Sequence, residues 1–178
     1  MRVIAGEHKG RKLIAPPPGS EAVRPTSDRA RETLFSILGR LSGVRVLDLF
    51  AGTGALALEA ISRGADSAVL VDTDLELARR NVAELRLENR CELIEGDAVE
   101  YLAETDDRFG LICCDPPYRL ADRLEPELNQ HLAPRLARYA RLVVESSARR
   151  PLELELPKVT LATERRIGEA MIRVYERA

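Results

Sequence analysis

The chain has no tryptophan, and aromatic residues make up only 4% of its 178 positions. An aliphatic core is therefore implied, in which each remaining ring is a candidate for a specific task. The three cysteines, Cys91, Cys113 and Cys114, are odd in number and lack CxxC spacing, and two of them adjoin inside an apolar run. That pattern points to core thiols rather than to a disulfide framework or a metal site. His8 and His131 are the only histidines; they are not spaced as a metal pair and join no nucleophilic motif, so no Ser/His/Asp or metal chemistry is expected. No apolar run approaches the roughly 20 residues that span a bilayer. The N-terminus shows no secretory pattern, and a cytoplasmic protein with no membrane role is expected.

What is present is the composition of a globular protein, 45% hydrophobic and 31% charged. Its length suits one domain that buries roughly 70% of its unfolded surface. The net charge of -2 is unevenly spread: residues 1 to 31 hold seven basic residues against three acidic ones, and the remainder twenty against twenty-six. Any grip on nucleic acid should therefore be local.

Residues 2 to 14 read as two short strands around the basic turn Glu7-His8-Lys9-Gly10-Arg11-Lys12, and Pro16-Pro17-Pro18-Gly19 reads as a linker. A helix follows, with Thr26 or Ser27 as N-cap and Asp28 in its first turn. Its apolar face carries Ala30, Leu34, Phe35, Ile37, Leu38 and Leu41, with Arg29 and Arg31 off that face. From Val44 onward, apolar runs at 44 to 50, 68 to 72, 91 to 95 and 109 to 114 alternate with helical patterns at 54 to 63, 74 to 87 and from 98. Such alternation predicts an α/β fold with a mostly parallel sheet, helices on both faces, and ligands at the strands' C-terminal ends. After a strand at 141 to 145, period-two patterns at 158 to 165 and 170 to 176 flank Ile167-Gly168-Glu169 and predict an antiparallel hairpin.

Two motifs carry chemistry. Val46-Leu47-Asp48-Leu49-Phe50-Ala51-Gly52-Thr53-Gly54 reads as a strand breaking into a glycine turn, and Asp72 ends the next strand where a ribose-binding acid is expected. Asp48 discriminates between ligands. A carboxylate beside the turn repels the pyrophosphate of a nicotinamide dinucleotide and attracts the ammonium and sulfonium of S-adenosyl-L-methionine. Asp97 could accept from an adenine amine or cap the helix at 98, and Asp74 reads as an N-cap. The second motif, Asp115-Pro116-Pro117-Tyr118, follows an apolar strand. An exocyclic base amine is a poor nucleophile because its lone pair is delocalised into the ring. The Asp115 carboxylate and the Pro116 carbonyl can hold its N–H groups, the prolines fix the loop, and Tyr118 can stack on the base.

With these motifs in place, the chain resembles the class I S-adenosylmethionine-dependent methyltransferases, and among them the RsmD-type guanine-N2 methyltransferases of small-subunit ribosomal RNA. The resemblance runs through Gly10-Arg11-Lys12-Leu13, the run from Arg24 to Phe35, the stretch from Asp48 to Leu56, and Asp115 to Tyr118. The Arg24 to Phe35 run is its specific part. It implies a Rossmann-like, seven-stranded, mostly parallel sheet ending in an antiparallel hairpin. It also implies methylation of a guanine N2 amine in 16S rRNA, on a small ribosomal subunit or assembly intermediate, by a chain expected to act as a monomer. Residues 1 to 22 then form a basic hairpin and linker, and 23 to 178 the methyltransferase domain. Cofactor contacts are assigned to Asp48, Phe50, Ala51, Gly52, Thr53, Gly54, Asp72, Thr73, Asp97 and Ala98, and catalysis to Asp115, Pro116, Pro117 and Tyr118. Lys9, Arg11, Lys12, Arg24 and Arg29 become candidates for RNA contact. Methylation of a DNA base amine or a protein glutamine, a noncatalytic nucleotide-binding module and a nicotinamide oxidoreductase are the competing readings.

Overall fold

A computed structural model describes residues 1–17 and 28–178. The helix α1 (Asp28–Leu38) precedes a single seven-stranded sheet built from β1 (Arg45–Leu49), β2 (Ser67–Asp72), β3 (Cys91–Glu95), β4 (Phe109–Cys114), β5 (Leu136–Ser147), β6 (Val159–Ile167) and β7 (Ala170–Arg177). Strand order is β3-β2-β1-β4-β5-β7-β6. The first five strands pair in parallel, and β7 pairs antiparallel with both β5 and β6. Four helices connect the strands: α2 (Ala55–Ser62), α3 (Glu76–Leu85), α4 (Ala98–Glu104) and α5 (Ala121–Arg135).

Alternation along the strands divides the core between the two sheet faces. Val46, Leu70, Leu111 and Val143 pack with α1, α2 and α3; Leu47, Val71, Ile112 and Val144 pack with α4 and α5. Every residue of α2 is buried, as its nearly uniform apolar sequence ALALEAIS requires. The N-terminal segment covers it. Val3 and Leu13 enter the same core, while the buried Glu59 of α2 accepts the Ile4 amide at 2.7 Å and the Ala5 amide at 3.1 Å. Where two short strands were expected, the segments meet in one antiparallel bridge, Arg2–Lys12, with the Val3 amide on the Arg11 carbonyl at 3.0 Å, the Gly10 amide on the Val3 carbonyl at 2.9 Å and the Leu13 amide on the Met1 carbonyl at 3.2 Å; the turn between them docks on Ser62, Glu7 donating to its carbonyl and His8 to its hydroxyl.

Three further features depart from the sequence reading or were absent from it. Arg31 is fully buried; its Nη2 donates to the Arg2 carbonyl at 2.7 Å and to Asp28 at 2.5 Å, so the residue pins α1 to the N-terminal segment instead of facing water. The helix α5 breaks its own sequence pattern with Pro126 and Pro134, and it is held by Leu128 and Leu132 in the core. The strand β5 begins at Leu136 and is irregular before Arg141, since Phe109 pairs with Leu136 but Leu111 with Arg141. The expected caps Thr26 and Ser27 lie outside the described residues, as does Arg24. Among the described residues no helix is long and apolar enough to cross a membrane.

Candidate active site

The strand order reverses between β1 and β4, so the loops that follow these two strands leave the sheet in opposite directions and open a crevice at its C-terminal edge. Both sequence motifs lie there. Leu49 pairs with Cys114, and the Asp115 amide continues the ladder to the Leu49 carbonyl at 3.5 Å. The glycine turn and the Asp115 loop are thus one pairing step apart although Gly54 and Asp115 are 61 positions apart in sequence.

The turn is built by backbone conformations that side chains resist. Phe50, Gly52 and Gly54 have φ of 60°, 52° and 74°. At Phe50 this is a strained state for a residue with a β-carbon. Gly54 has a second constraint, since a β-carbon there would stand 2.8 Å from Leu70 Cδ2. Two acids hold the turn in place. Asp72 Oδ2 accepts the Gly52 amide at 2.8 Å, and its Oδ1 accepts the Asp74 amide at 3.2 Å and the Thr73 hydroxyl at 3.3 Å. Asp48, 2% exposed, accepts the Ala57 amide at 3.0 Å and so ties β1 to the first turn of α2. Burial pushes its pKa up to about 7; the Ala57 bond opposes this and the nearby Asp72 adds to it. A carboxylate so placed repels a pyrophosphate and is relieved by a cation.

Asp97 accepts the Val99 amide at 2.8 Å and the Glu100 amide at 3.1 Å through Oδ1, which makes it the N-cap of α4, with Ala98 buried behind it. Asp74 accepts the Glu76 amide at 3.0 Å, but the helix ladder begins from Leu75, one residue later than expected. In the second motif Pro116 is buried, Pro117 half-buried and Tyr118 exposed, with the Pro117 carbonyl accepting the Leu120 amide at 2.8 Å to close a turn.

Sequence reasoning missed two residues at this site. Asn81 of α3, fully buried, accepts the Ile14 amide at 2.6 Å and donates to the Ile14 carbonyl at 3.0 Å and the Thr53 carbonyl at 2.9 Å. Glu145 of β5, 7% exposed, lies with its Oε1 3.5 Å from the Tyr118 hydroxyl. An asparagine inside a helix and an acid inside an apolar strand were the available signals.

The basic candidates do not gather at the crevice. Arg141, early in β5, bonds the Leu38 carbonyl at the C-terminal end of α1, and Arg29, in the first turn of that helix, is exposed. Arg11 instead donates to the Glu84 carbonyl at 2.8 Å near the far end of α3. There it lines a shallow concavity of about 450 Å³ with Arg80 and Arg86. Lys9 and Lys12 are exposed along the same segment.

Comparison with known proteins agrees with this geometry. The family model described as "Conserved hypothetical protein 95" matches residues 1–176. The chain is 36% identical to ribosomal RNA small subunit methyltransferase D of Escherichia coli, over 99% of this chain and 90% of that one. It is 32% identical to the protein of the same name from Haemophilus influenzae, over 99% and 93%. The solved structure of yhhF from Escherichia coli superposes with a TM-score of 0.81 at 35% identity, covering 99% of this chain and 97% of that one. TrmN from Thermus thermophilus, at 24% identity and a TM-score of 0.72, shares the fold over 89% of this chain and 52% of its own. A crevice between a glycine turn and a DPPY loop, a family match along almost the whole chain and these relatives together place the chain in the ribosomal RNA small subunit methyltransferase D family.

Proposed function

We propose that this protein transfers a methyl group from S-adenosyl-L-methionine to the exocyclic N2 amine of a guanine in 16S rRNA, presented on a small ribosomal subunit or an assembly intermediate. The observation that carries the reading is the pairing step that sets the Asp115 loop beside an acid-flanked glycine turn. Family membership supports the coarser part, an S-adenosylmethionine-dependent methyltransferase acting on ribosomal RNA.

The turn fits the cofactor. Asp72 stands beside backbone that glycine keeps open, and Asp48, whose pKa burial raises to about 7, becomes negative when a cation relieves it, which suits an ammonium and a sulfonium. Asp72 already holds Gly52 through Oδ2, yet a carboxylate has about four acceptor sites, so it can take ribose hydroxyls without releasing the turn. Asp97 spends Oδ1 on its cap, and the adenine amine falls to the same carboxylate. Phe50, Ala51, Thr53, Thr73 and Ala98 line the remainder.

Bound there, the cofactor supplies an activated methyl carbon. The protein must then present the amine in line with it. Asp115 and the Pro116 carbonyl accept the two N–H bonds of the amine, which favours a tetrahedral nitrogen whose lone pair points at the methyl group. Burial of Pro116 and the closed turn at Pro117 fix those acceptors before the base arrives, so little entropy is lost on binding. Tyr118, on the solvent side of the loop, can stack on the base. The nitrogen–carbon bond forms as the methyl–sulfur bond breaks to leave a neutral thioether, and the proton that the nitrogen sheds passes to the Asp115 carboxylate that held it or to water.

Calorimetry with S-adenosylmethionine and with NAD tests the cofactor, and methyl transfer to unmodified small subunits tests the substrate. NAD binding with no response to S-adenosylmethionine overturns the first. Label on DNA or on a protein glutamine and none on ribosomal RNA overturns the second.

A further inference from the structure

We infer that Glu145 is the residue that selects guanine, by accepting the N1–H of the target base while Asp115 holds its N2 amine. The inference rests on the guanine-N2 reading above and goes beyond it by naming the group that distinguishes guanine from other amino-bearing bases.

Glu145 is an acid near the C-terminal end of a core strand, 7% exposed and within 3.5 Å of the Tyr118 hydroxyl. Its place follows from register. Cys113 pairs with Val143 and Cys114 with Val144, so the next step along the two strands sets Asp115 beside Glu145. Paired parallel strands lie about 4.8 Å apart, which brings two carboxylates to the same end of the crevice. Asp48 pairs with Cys113, so Glu145, two residues after Val143, shares its sheet face with the acid of the cofactor turn.

The chemistry of the base edge decides what two adjacent acceptors can read. Guanine offers two neighbouring donors on its Watson–Crick edge, N1–H and the N2 amine. Adenine and cytosine place a bare ring nitrogen, an acceptor, beside their amine. A carboxylate at that ring position attracts guanine and repels both of the others. A site built to hydrogen-bond an N–H also rejects an analogue lacking it more strongly than an apolar pocket can, because a bare ring nitrogen turns its lone pair on the carboxylate. Contact with Tyr118 fits this role, since the ring that stacks on the base and the acid that reads its edge are then held as one unit.

The test uses the full chain, S-adenosylmethionine, and small subunits assembled with 16S rRNA bearing either guanine or 2-aminopurine at the mapped target. 2-Aminopurine keeps the N2 amine but has a bare N1. The wild-type enzyme should prefer guanine by roughly 100-fold or more in kcat/KM. Glu145→Gln, whose amide can donate to a bare N1, should bind S-adenosylmethionine as the wild type does and bring the two substrates within about tenfold of each other. Comparable rates on the two bases with the wild-type enzyme overturn the inference even if Glu145→Gln fails to fold. So does an undiminished guanine preference in a folded Glu145→Gln. Absence of any methyl on guanine N2 with the wild-type enzyme overturns the functional reading itself, a distinct result.

Discussion

Asn81 donates to the Thr53 carbonyl at 2.9 Å while accepting the Ile14 amide at 2.6 Å, so one buried amide on α3 joins the cofactor turn to the N-terminal segment. Removing it strands buried backbone groups at both ends. Asn81→Ala should cost about 1 to 3 kcal/mol of stability, read as a lower urea midpoint at constant slope. Because Thr53 is then held less firmly, affinity for S-adenosylmethionine should fall by calorimetry. Unchanged stability and affinity would mean that the turn is held without this bond.

Asp48 gives the protein a pH signature whose sign can be worked out. Its pKa in the folded protein, about 7, lies above the 3.8 of an ordinary aspartate, so between these values the native state holds a proton that the unfolded state has released. This group's contribution to stability therefore falls as pH rises from about 4 to 7, by roughly 1.4 kcal/mol per pH unit across that window. Asp48→Asn should flatten that part of the profile and raise Tm at pH 8. It should also weaken binding of the cationic cofactor, whose affinity in the wild type should increase as Asp48 ionises around neutral pH. A stability profile identical in the two proteins would remove Asp48 as the source.

Gly54 has both a left-handed φ of 74° and a neighbour, Leu70 Cδ2, 2.8 Å from where a β-carbon would stand. Gly54→Ala should lose about 1 to 3 kcal/mol and most cofactor binding, the backbone cost alone being about 1 to 2 kcal/mol. Thermal melts with and without S-adenosylmethionine report both effects; a wild-type Tm and an unchanged ligand-induced shift would contradict the geometry.

The parts legible in the sequence were those written by neighbours along the chain. Strand periodicity, the glycine turn, the Asp97 cap and the turn at Gly168 all depend on residues a few positions apart, and the structure places them as expected. What escaped depends on distant partners. Asn81 meets a residue 67 positions away. Glu59 holds amides 54 and 55 positions away. Arg31 reaches Arg2, 29 positions back. No local pattern separates a buried polar residue with such a partner from one in water. The helix α5 was hidden for a different reason: its two prolines contradict helix propensity, and packing of Leu128 and Leu132 overrides them.

The N-terminal segment carries the prediction about RNA. Arg11 bonds the Glu84 carbonyl of α3, and Lys9 and Lys12 are exposed along the same segment, where they can meet phosphates of a large substrate. Changing all three to glutamine should weaken binding to RNA and lower the slope of log K against log salt by about 2 to 3, with kcat little changed. An unchanged slope would show that this segment makes no phosphate contact.

The central claim, that the Asp115 loop presents a guanine amine to a cofactor held by the glycine turn, is tested most directly by transfer of labelled methyl from S-adenosylmethionine to unmodified small subunits, followed by mapping of the modified base. The wild-type protein should label N2 of a guanine in 16S rRNA, and Asp115→Ala should abolish that label while largely retaining cofactor affinity. Label on another atom or another base, or near-normal methylation by Asp115→Ala, would contradict the account.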